Sequence, residues 1–260
     1  MKLRVLGCSG SNLPGHHLTA FLLNGHILLD AGTVTESLSL EEQLGVTDIF
    51  ITHAHLDHTK DILFLADNRI EFTADNGRRP ITLHGLPEVL KAISDHLLND
   101  TIWPDFTVIP AGCPALAMAP MRPRIPVQTN GLTITVCPVN HAKHAGGYVI
   151  KGQRQDEILA YTGDIGHSPD WWSFLSGLPN AVKHLIIEAS FPNHLERLAM
   201  SAKHLTPELL RRGLETLPYR PQLSISHLKS PFARQIEDEL QQALTGYSYS
   251  LLREEDTLVF

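Results

Sequence analysis

The chain is poor in cysteine and in long apolar runs. Its three cysteines, Cys8, Cys113 and Cys137, are odd in number and widely spaced, which argues against a disulfide framework and against a cysteine-based zinc site. No apolar run approaches membrane-spanning length, and the first residues lack the long apolar core of a signal peptide. We therefore expect a cytoplasmic protein that has no membrane partner.

Basic residues are also scarce relative to acidic ones. Lysine and arginine number 21 against 28 aspartates and glutamates, so the formal net charge is −7 with histidine neutral. This balance argues against an extended nucleic-acid surface, because such a surface needs clustered basic side chains that displace counterions. A small phosphate-bearing substrate stays open, because bound divalent cations would invert the local charge at a site.

Histidine, by contrast, is abundant, with 15 residues in a chain of 260. The densest group lies in Thr52-His53-Ala54-His55-Leu56-Asp57-His58, directly after the predicted strand Asp48–Ile51. If buried, these polar side chains would need separate hydrogen-bond partners, and if exposed, nothing would require this combination. One cation satisfies them together, since neutral imidazole and carboxylate are ligands for zinc, manganese and iron. The cluster therefore predicts a metal site.

Local patterns place this cluster among strands and helices. Asn24-Gly25 between the apolar runs Ala20–Leu23 and His26–Leu29 predicts a tight hairpin. Helical spacing predicts a helix over Glu36–Leu44, and a further helix begins at the histidine cluster. The proline-rich region 101–128 predicts extended loops and edge structure. Because strands are predicted on both sides of it, it is not expected to be an interdomain linker.

Several predicted strands end in a side chain that can bind a metal. In a sheet-based fold such ends lie close together and present their loops to one site. These residues are Asp30, His53, His141, Asp164, Glu188 and His227. Asp30 is expected to orient a histidine ligand from behind, as carboxylates near metal sites do. We therefore expect a site assembled from separate parts of the chain.

Two ions would divide these side chains between them. The first would be held by His53, His55 and His141. The second would be held by Asp57, His58 and His227. Asp164 would bridge the two, since one carboxylate can give an oxygen to each cation. Ions about 3.5–4 Å apart would share a hydroxide, because metal binding lowers the pKa of water to roughly 7. We expect Zn²⁺, with Mn²⁺ or iron as open alternatives.

The motif His53-Ala54-His55-Leu56-Asp57-His58, followed in order by His141, Asp164 and His227, resembles the metallo-β-lactamase superfamily. The resemblance extends over essentially the whole chain, so it implies one domain over residues 1–260. It further implies a four-layer αββα sandwich, with two mixed sheets, helices outside and a dinuclear site at one edge of the sheets. Members of this superfamily often dimerise, which leaves a homodimer open.

A narrower resemblance is to class II cyclic-nucleotide phosphodiesterases. It is carried by Ile51–His58 and by Thr162-Gly163-Asp164, Ile187–Phe191, His204-Leu205-Thr206-Pro207 and Ser226–Lys229. The chain departs from that pattern in three residues. Thr59 and Asp61 replace an aliphatic and a small residue, and His144 adds a second histidine after His141.

The predicted function is metal-dependent hydrolysis of a small phosphodiester by attack of a metal-bridging hydroxide. The preferred substrate is a 3′,5′-cyclic nucleotide. The candidate catalytic residues are Asp57, His204 and Glu188, with His204 giving a proton or contacting phosphate while Glu188 orients it. Alternatives within the fold are a ribonuclease Z-like RNA phosphodiesterase and a lactonase or thioesterase. A metal-binding protein without turnover is a further alternative, disfavoured because every expected ligand is present.

Overall fold

The computed structural model describes residues 1–76 and 79–260, whose strands form two seven-stranded sheets. The first sheet has the order β14-β1-β2-β3-β4-β5-β6 and the second β13-β12-β11-β10-β9-β8-β7. The strands of the first sheet are β1 (Lys2–Gly7), β2 (Ala20–Leu23), β3 (Ile27–Leu29), β4 (Asp48–Phe50), β5 (Ile81–Gly85), β6 (Leu116–Pro120) and β14 (Thr257–Val259). Those of the second are β7 (Val127–Thr129), β8 (Leu132–Pro138), β9 (Gly146–Lys151), β10 (Ile158–Tyr161), β11 (His184–Glu188), β12 (Gln222–Ser226) and β13 (Tyr249–Leu251).

The two sheets pack face to face because both surfaces of the second sheet are apolar. Along β10, Leu159 and Tyr161 join the core shared with the first sheet, whereas Ile158 and Ala160 face the second sheet's own helices. This alternation follows from the two-residue period of a strand. A strand that is covered on both faces accordingly has no polar face.

Helices cover the outer faces of the sandwich and complete four layers. The α-helices are α1 (Leu40–Gly45), α2 (Leu56–Asn76), α3 (Pro87–His96), α4 (Pro169–Ser176), α5 (Glu196–Ala202), α6 (Pro207–Leu214) and α7 (Ala233–Ala243). Trp171 of α4, Leu210 of α6 and Leu240 of α7 lie in the core beneath the second sheet. The αββα sandwich predicted from the resemblance is the observed architecture. Within the described residues, no helix combines the length and apolarity required to cross a bilayer.

Most local predictions agree with the structure, and one helix boundary was wrong. Asn24 and Gly25 form the predicted hairpin, with positive φ angles of 52° and 82° that suit a two-residue turn. The first helix begins at Leu40 instead of Glu36, because Ser39 caps it and exchanges hydrogen bonds with Glu42 in a capping box. Region 101–128 supplies β6 and the start of β7, which are edge strands of the two sheets, as predicted.

Strand direction explains why the candidate ligands meet. Strands β3 and β4 are parallel to each other, and β10, β11 and β12 form a second parallel set. The carboxyl ends of parallel strands share one edge of a sheet, so the residues that follow them are brought together. Helix α2 begins at Leu56, within the histidine cluster, as predicted. Its first turn places Asp57 at the positive end of the helix dipole, where a carboxylate is stabilised.

Candidate metal centre

Asp164 lies at the centre of the site and turns one oxygen to each half of it. Its Oδ2 is 4.0 Å from His53 Nε2 and 3.6 Å from His141 Nε2. Its Oδ1 is 3.3 Å from both His58 Nε2 and His227 Nε2. The carboxylate is 2% exposed, so these imidazoles and not water surround it. This is the placement that a bridging carboxylate requires.

The structure brings together both sets of predicted ligands. In each set the potential ligand atoms lie within 4.8 Å of one another. One set is His53, His55 and His141, and the other is Asp57, His58, Asp164 and His227. His55 is exposed and Asp57 half-buried, whereas the other members are buried. The centre is therefore open to solvent where His55 and the first turn of α2 lie.

The donor atoms fit divalent cations on chemical grounds. Within the described residues, His53 Nε2, His58 Nε2 and Asp164 Oδ1 are buried without a hydrogen-bond partner. A buried polar atom left unpaired costs about 1–3 kcal/mol, so these three atoms need partners. Two cations would satisfy all three, one at His53 Nε2 and the other at His58 Nε2 and Asp164 Oδ1. Nitrogen and oxygen donors of this kind suit zinc, manganese and iron.

Charge around Asp164 leads to the same conclusion. Burial opposes ionisation, but His227 and His58 hold the pKa of Asp164 well below its usual range. Burial, reinforced by the neighbouring His58, lowers the pKa of His53 well below its usual range, so this ring is neutral and offers a lone pair. Burial opposes the charge on His58 as well, yet Asp164 and Asp30 raise its pKa well above the usual value. The carboxylate thus attracts positive charge into the gap that these rings surround.

Asp30 lies behind His58 and hydrogen bonds to it and to two neighbouring hydroxyls. Its Oδ2 is 2.7 Å from His58 Nδ1 and accepts hydrogen bonds from Thr52 Oγ1 at 2.8 Å and Tyr161 Oη at 2.6 Å. Its Oδ1 accepts from the Thr52 amide at 2.8 Å. Because Nδ1–H of His58 donates to Asp30, Nε2 of that ring is directed at Asp164 and is the nitrogen that would bind a cation. The predicted orienting role of Asp30 therefore has its geometric basis.

Backbone carbonyls and a close glycine position His141 and His227. His141 Nδ1 lies 2.9 Å from the carbonyl of Lys203, which directs Nε2 of that ring towards Asp164. His227 follows β12 with a positive φ of 58°, and its amide donates to the Cys8 carbonyl at 2.7 Å. A Cβ on Gly10 would lie 2.6 Å from the His227 carbonyl oxygen, so only glycine fits against that backbone.

Glu188 and His204 form a buried pair beside the ligand groups. His204 Nδ1 is 2.8 Å from Glu188 Oε1, and the His204 ring lies 4.7 Å from that of His141. Burial lowers the pKa of His204, but the Glu188 carboxylate outweighs this and raises it above its usual range. Phe191 packs against the same imidazole, with ring centroids 5.7 Å apart. Sequence reasoning paired these two residues, and the structure places them in contact.

The departures from the phosphodiesterase pattern have local explanations. Asp61 is buried and accepts hydrogen bonds from the amides of Val34 and Thr35, so it holds the loop after β3. Thr59 donates to the His55 carbonyl at 2.9 Å and closes the first turn of α2. His144 is exposed. None of these roles alters the predicted set of ligands.

Sequence reasoning did not assign the side chains of Thr52, Tyr161 and Ser190. All three are buried and hydrogen bonded to Asp30 or Glu188. Thr52 and Tyr161 adjoin predicted strand ends, and Ser190 follows Glu188 by two residues. A hydroxyl beside a predicted ligand is therefore the signal that could have identified them.

Comparison with known proteins identifies the family. Residues 26–223 match the family described as the beta-lactamase superfamily domain, so the chain belongs to this superfamily. It is 26% identical to the 3′,5′-cyclic-nucleotide phosphodiesterase of Aliivibrio fischeri, over 82% of this chain and 74% of that protein. It is 25% identical to a probable 3′,5′-cyclic-nucleotide phosphodiesterase of Yersinia pestis, over 97% of this chain and 79% of that protein.

The fold also resembles that of a solved structure. The crystal structure of unliganded yeast PDE1 aligns with a TM-score of 0.84 at 18% sequence identity, covering 100% of this chain and 99% of that one. At this identity the match establishes a shared fold. The superfamily predicted from the histidine motif is thus confirmed, and relatives named cyclic-nucleotide phosphodiesterases are among those found.

Proposed function

We propose that the chain is a metal-dependent phosphodiesterase that hydrolyses a 3′,5′-cyclic nucleotide. The observation that carries this proposal is the position of the Glu188–His204 pair against two donor groups that meet at Asp164. The relatives from Aliivibrio fischeri and Yersinia pestis, named for this activity, support the choice of substrate. The acidic chain, with a net charge of −7, disfavours a long RNA.

Two divalent ions are proposed to bind at the two donor groups, with Zn²⁺ as the preferred ion. Ligands of the first are His53, His55 and His141. Ligands of the second are Asp57, His58 and His227, with Asp164 facing both. When bound, such ions supply Lewis acidity that activates water and neutralises charge on phosphoryl oxygens. The protein's part is to hold the donors in a buried cluster that is open near His55 and Asp57.

His204 is proposed to protonate the leaving oxygen. Hydrolysis forms one P–O bond to water and breaks one P–O bond to the ribose, and the departing ribose oxygen then needs a proton. Glu188 occupies Nδ1 of His204, so Nε2 is the nitrogen left to give that proton. Glu188 raises the pKa of His204, which favours the protonated ring that a general acid requires.

A substrate panel tests this function against the alternatives. The purified chain loaded with Zn²⁺ or Mn²⁺ is assayed on cyclic AMP, cyclic GMP, an aryl phosphodiester, a tRNA precursor and a lactone. We expect turnover of a cyclic nucleotide with the highest kcat/KM. Preferential cleavage of the tRNA precursor would favour a ribonuclease Z-type enzyme. Preferential lactone opening would favour a carbonyl hydrolase, and binding of metal without any turnover would leave a metal-binding protein.

A further inference from the structure

The Thr52 hydroxyl lies between a candidate ligand and a carboxylate. Its Oγ1 is 3.0 Å from His53 Nδ1 and 2.8 Å from Asp30 Oδ2. The hydroxyl has one proton, and Asp30 already accepts hydrogen bonds from Tyr161 and the Thr52 amide, as an ionised carboxylate does. The Thr52 hydroxyl therefore donates its hydrogen bond to Asp30. Its oxygen is left to accept a hydrogen bond from Nδ1–H of His53.

The Ser190 hydroxyl has an equivalent position in the other half of the site. Ser190 Oγ lies 3.1 Å from His227 Nδ1 and donates a short hydrogen bond to Glu188 Oε2. Glu188 also accepts from the amide of Ile165 at 2.8 Å and from the amide of Leu205 at 3.3 Å. A carboxylate surrounded by donors leaves the Ser190 oxygen only one role towards Nδ1 of His227, which is to accept.

Each hydroxyl thus fixes which nitrogen of its histidine carries the proton. With Nδ1 protonated, Nε2 of His53 and of His227 holds a lone pair directed at Asp164. A lone pair facing a carboxylate oxygen is repulsive unless a cation lies between them. The hydroxyls therefore prepare two imidazoles for a cation without touching the cation themselves.

We propose that Thr52 and Ser190 are positioning residues that set the metal affinity of the two halves of the centre separately. The carboxylates of Asp30 and Glu188 each contact one histidine directly and a second histidine through a hydroxyl. Asp30 contacts the His58 ring directly and the His53 ring through Thr52. Glu188 meets His204 directly and His227 through Ser190. The inference deepens the proposed function and depends on its metal-binding part.

The test is metal affinity, measured as Zn²⁺ titration of the chelator-stripped chain against a competing chromophoric chelator. We expect Ser190→Ala to weaken one bound ion by about 10–100-fold, the range found for partners that orient ligands from behind. Thr52→Val removes the hydroxyl at nearly constant volume, and we expect it to weaken the other ion to a similar extent. Thr52→Ser keeps the hydroxyl and is expected to retain near wild-type affinity, which separates the hydroxyl from packing.

Double-mutant cycles assign each hydroxyl to its own histidine. In a His227→Ala background, Ser190→Ala is expected to cause no further loss, because the residue it acts through is gone. In a His53→Ala background, Ser190→Ala is expected to weaken the remaining ion to its full extent. Thr52→Val should cause no further loss in the His53→Ala background and its full loss in the His227→Ala background. Ser224→Ala, which truncates a buried serine within β12, is the matched control and should leave both affinities unchanged.

The outcomes separate this inference from the function it depends on. A wild-type chain that binds no divalent ion overturns the metal-based function and the inference with it. A wild-type chain that binds two ions, with affinities unchanged in folded Ser190→Ala and Thr52→Val variants, overturns the inference alone. Losses that are equally large for Thr52→Ser or for Ser224→Ala also overturn it, because they would show a packing effect. Circular dichroism establishes that each variant is folded.

Discussion

Glu188 Oε1 lies 2.8 Å from Nδ1 of His204, with the carboxylate fully buried and the imidazole 8% exposed. The Glu188 carboxylate is shielded from water, and the His204 ring borders the ligand cluster. Such a pair can hold a proton and present it to a bound substrate. The proposed general acid is therefore a property of the pair, because burial alone would lower the pKa of His204 and Glu188 raises it.

Replacing His204 tests the proton donor through the choice of leaving group. We expect His204→Ala to lower kcat for a cyclic nucleotide by about 10²–10⁴-fold, the usual contribution of a general acid. For a nitrophenyl phosphodiester, whose leaving group departs without a proton, we expect a much smaller loss. Steady-state kinetics on both substrates measure the difference. His144→Ala, at an exposed histidine, is the control. Equal losses on the two substrates would show that His204 does not donate the proton.

Asp164 is expected to be needed by both ions. Asp164→Ala removes the carboxylate that faces both donor groups, so the affinity for both ions should fall and activity should drop below detection. Atomic emission after dialysis measures the metal content, and a turnover assay measures the activity. Asp156→Asn changes a well-exposed carboxylate and is the matched control. Full phosphodiesterase activity in Asp164→Ala would contradict the metal mechanism.

Removal of metal should lower stability as well as activity. The imidazoles and carboxylates of the centre are buried close together, and the proposed ions would compensate them only in the folded state. Ligand binding of this kind stabilises by about 2.7 kcal/mol when the free ion is at 100 times its Kd. We therefore expect a chelator to lower the Tm and abolish turnover, and added Zn²⁺ or Mn²⁺ to restore both. A Tm that is the same with and without chelator would argue against bound ions.

The predictable part of the site follows from strand direction. His53, Asp164 and His227 each follow a strand of a parallel set, and such strands end at one edge, so their meeting could be inferred from the sequence. The carbonyl of Lys203, which holds His141, could not, because any residue type offers a carbonyl and the two lie 62 residues apart. The hydroxyl of Ser190 was missed for a related reason, since its partner His227 lies 37 residues away in the chain.

Boundaries of the elements were less predictable than their existence. The periodic apolar spacing before β4 is continuous from Glu36, but the capping box of Ser39 and Glu42 begins the helix one turn later. Local capping chemistry prevailed over periodicity there. His84 lies within β5 and is not among the possible metal-binding groups of the described residues. Its ring stacks on Phe50, with centroids 4.4 Å apart.

A buried polar contact far from the centre gives a prediction on stability and pH. His84 Nε2 lies 2.7 Å from Asp48 Oδ1, and Asp48 Oδ2 also accepts from Asn130 Nδ2 at 2.8 Å, which joins β4 to the turn between β7 and β8. Burial opposes ionisation of Asp48, but hydrogen bonds from His84 and Thr47 lower its pKa below the usual value. The ionised carboxylate therefore stabilises the link between the two sheets.

Because the folded pKa of Asp48 is the lower one, its contribution is complete above the unfolded pKa of about 3.9 and is lost as pH falls through the folded value. Asp48→Asn is accordingly expected to lower the free energy of unfolding by about 1–3 kcal/mol at pH 7, the cost of a disrupted buried hydrogen bond. The difference from wild type should shrink below pH 4. Urea unfolding across this pH range measures it, with Asp156→Asn as the exposed control. A difference that stays constant with pH would mean that the charge of Asp48 contributes nothing.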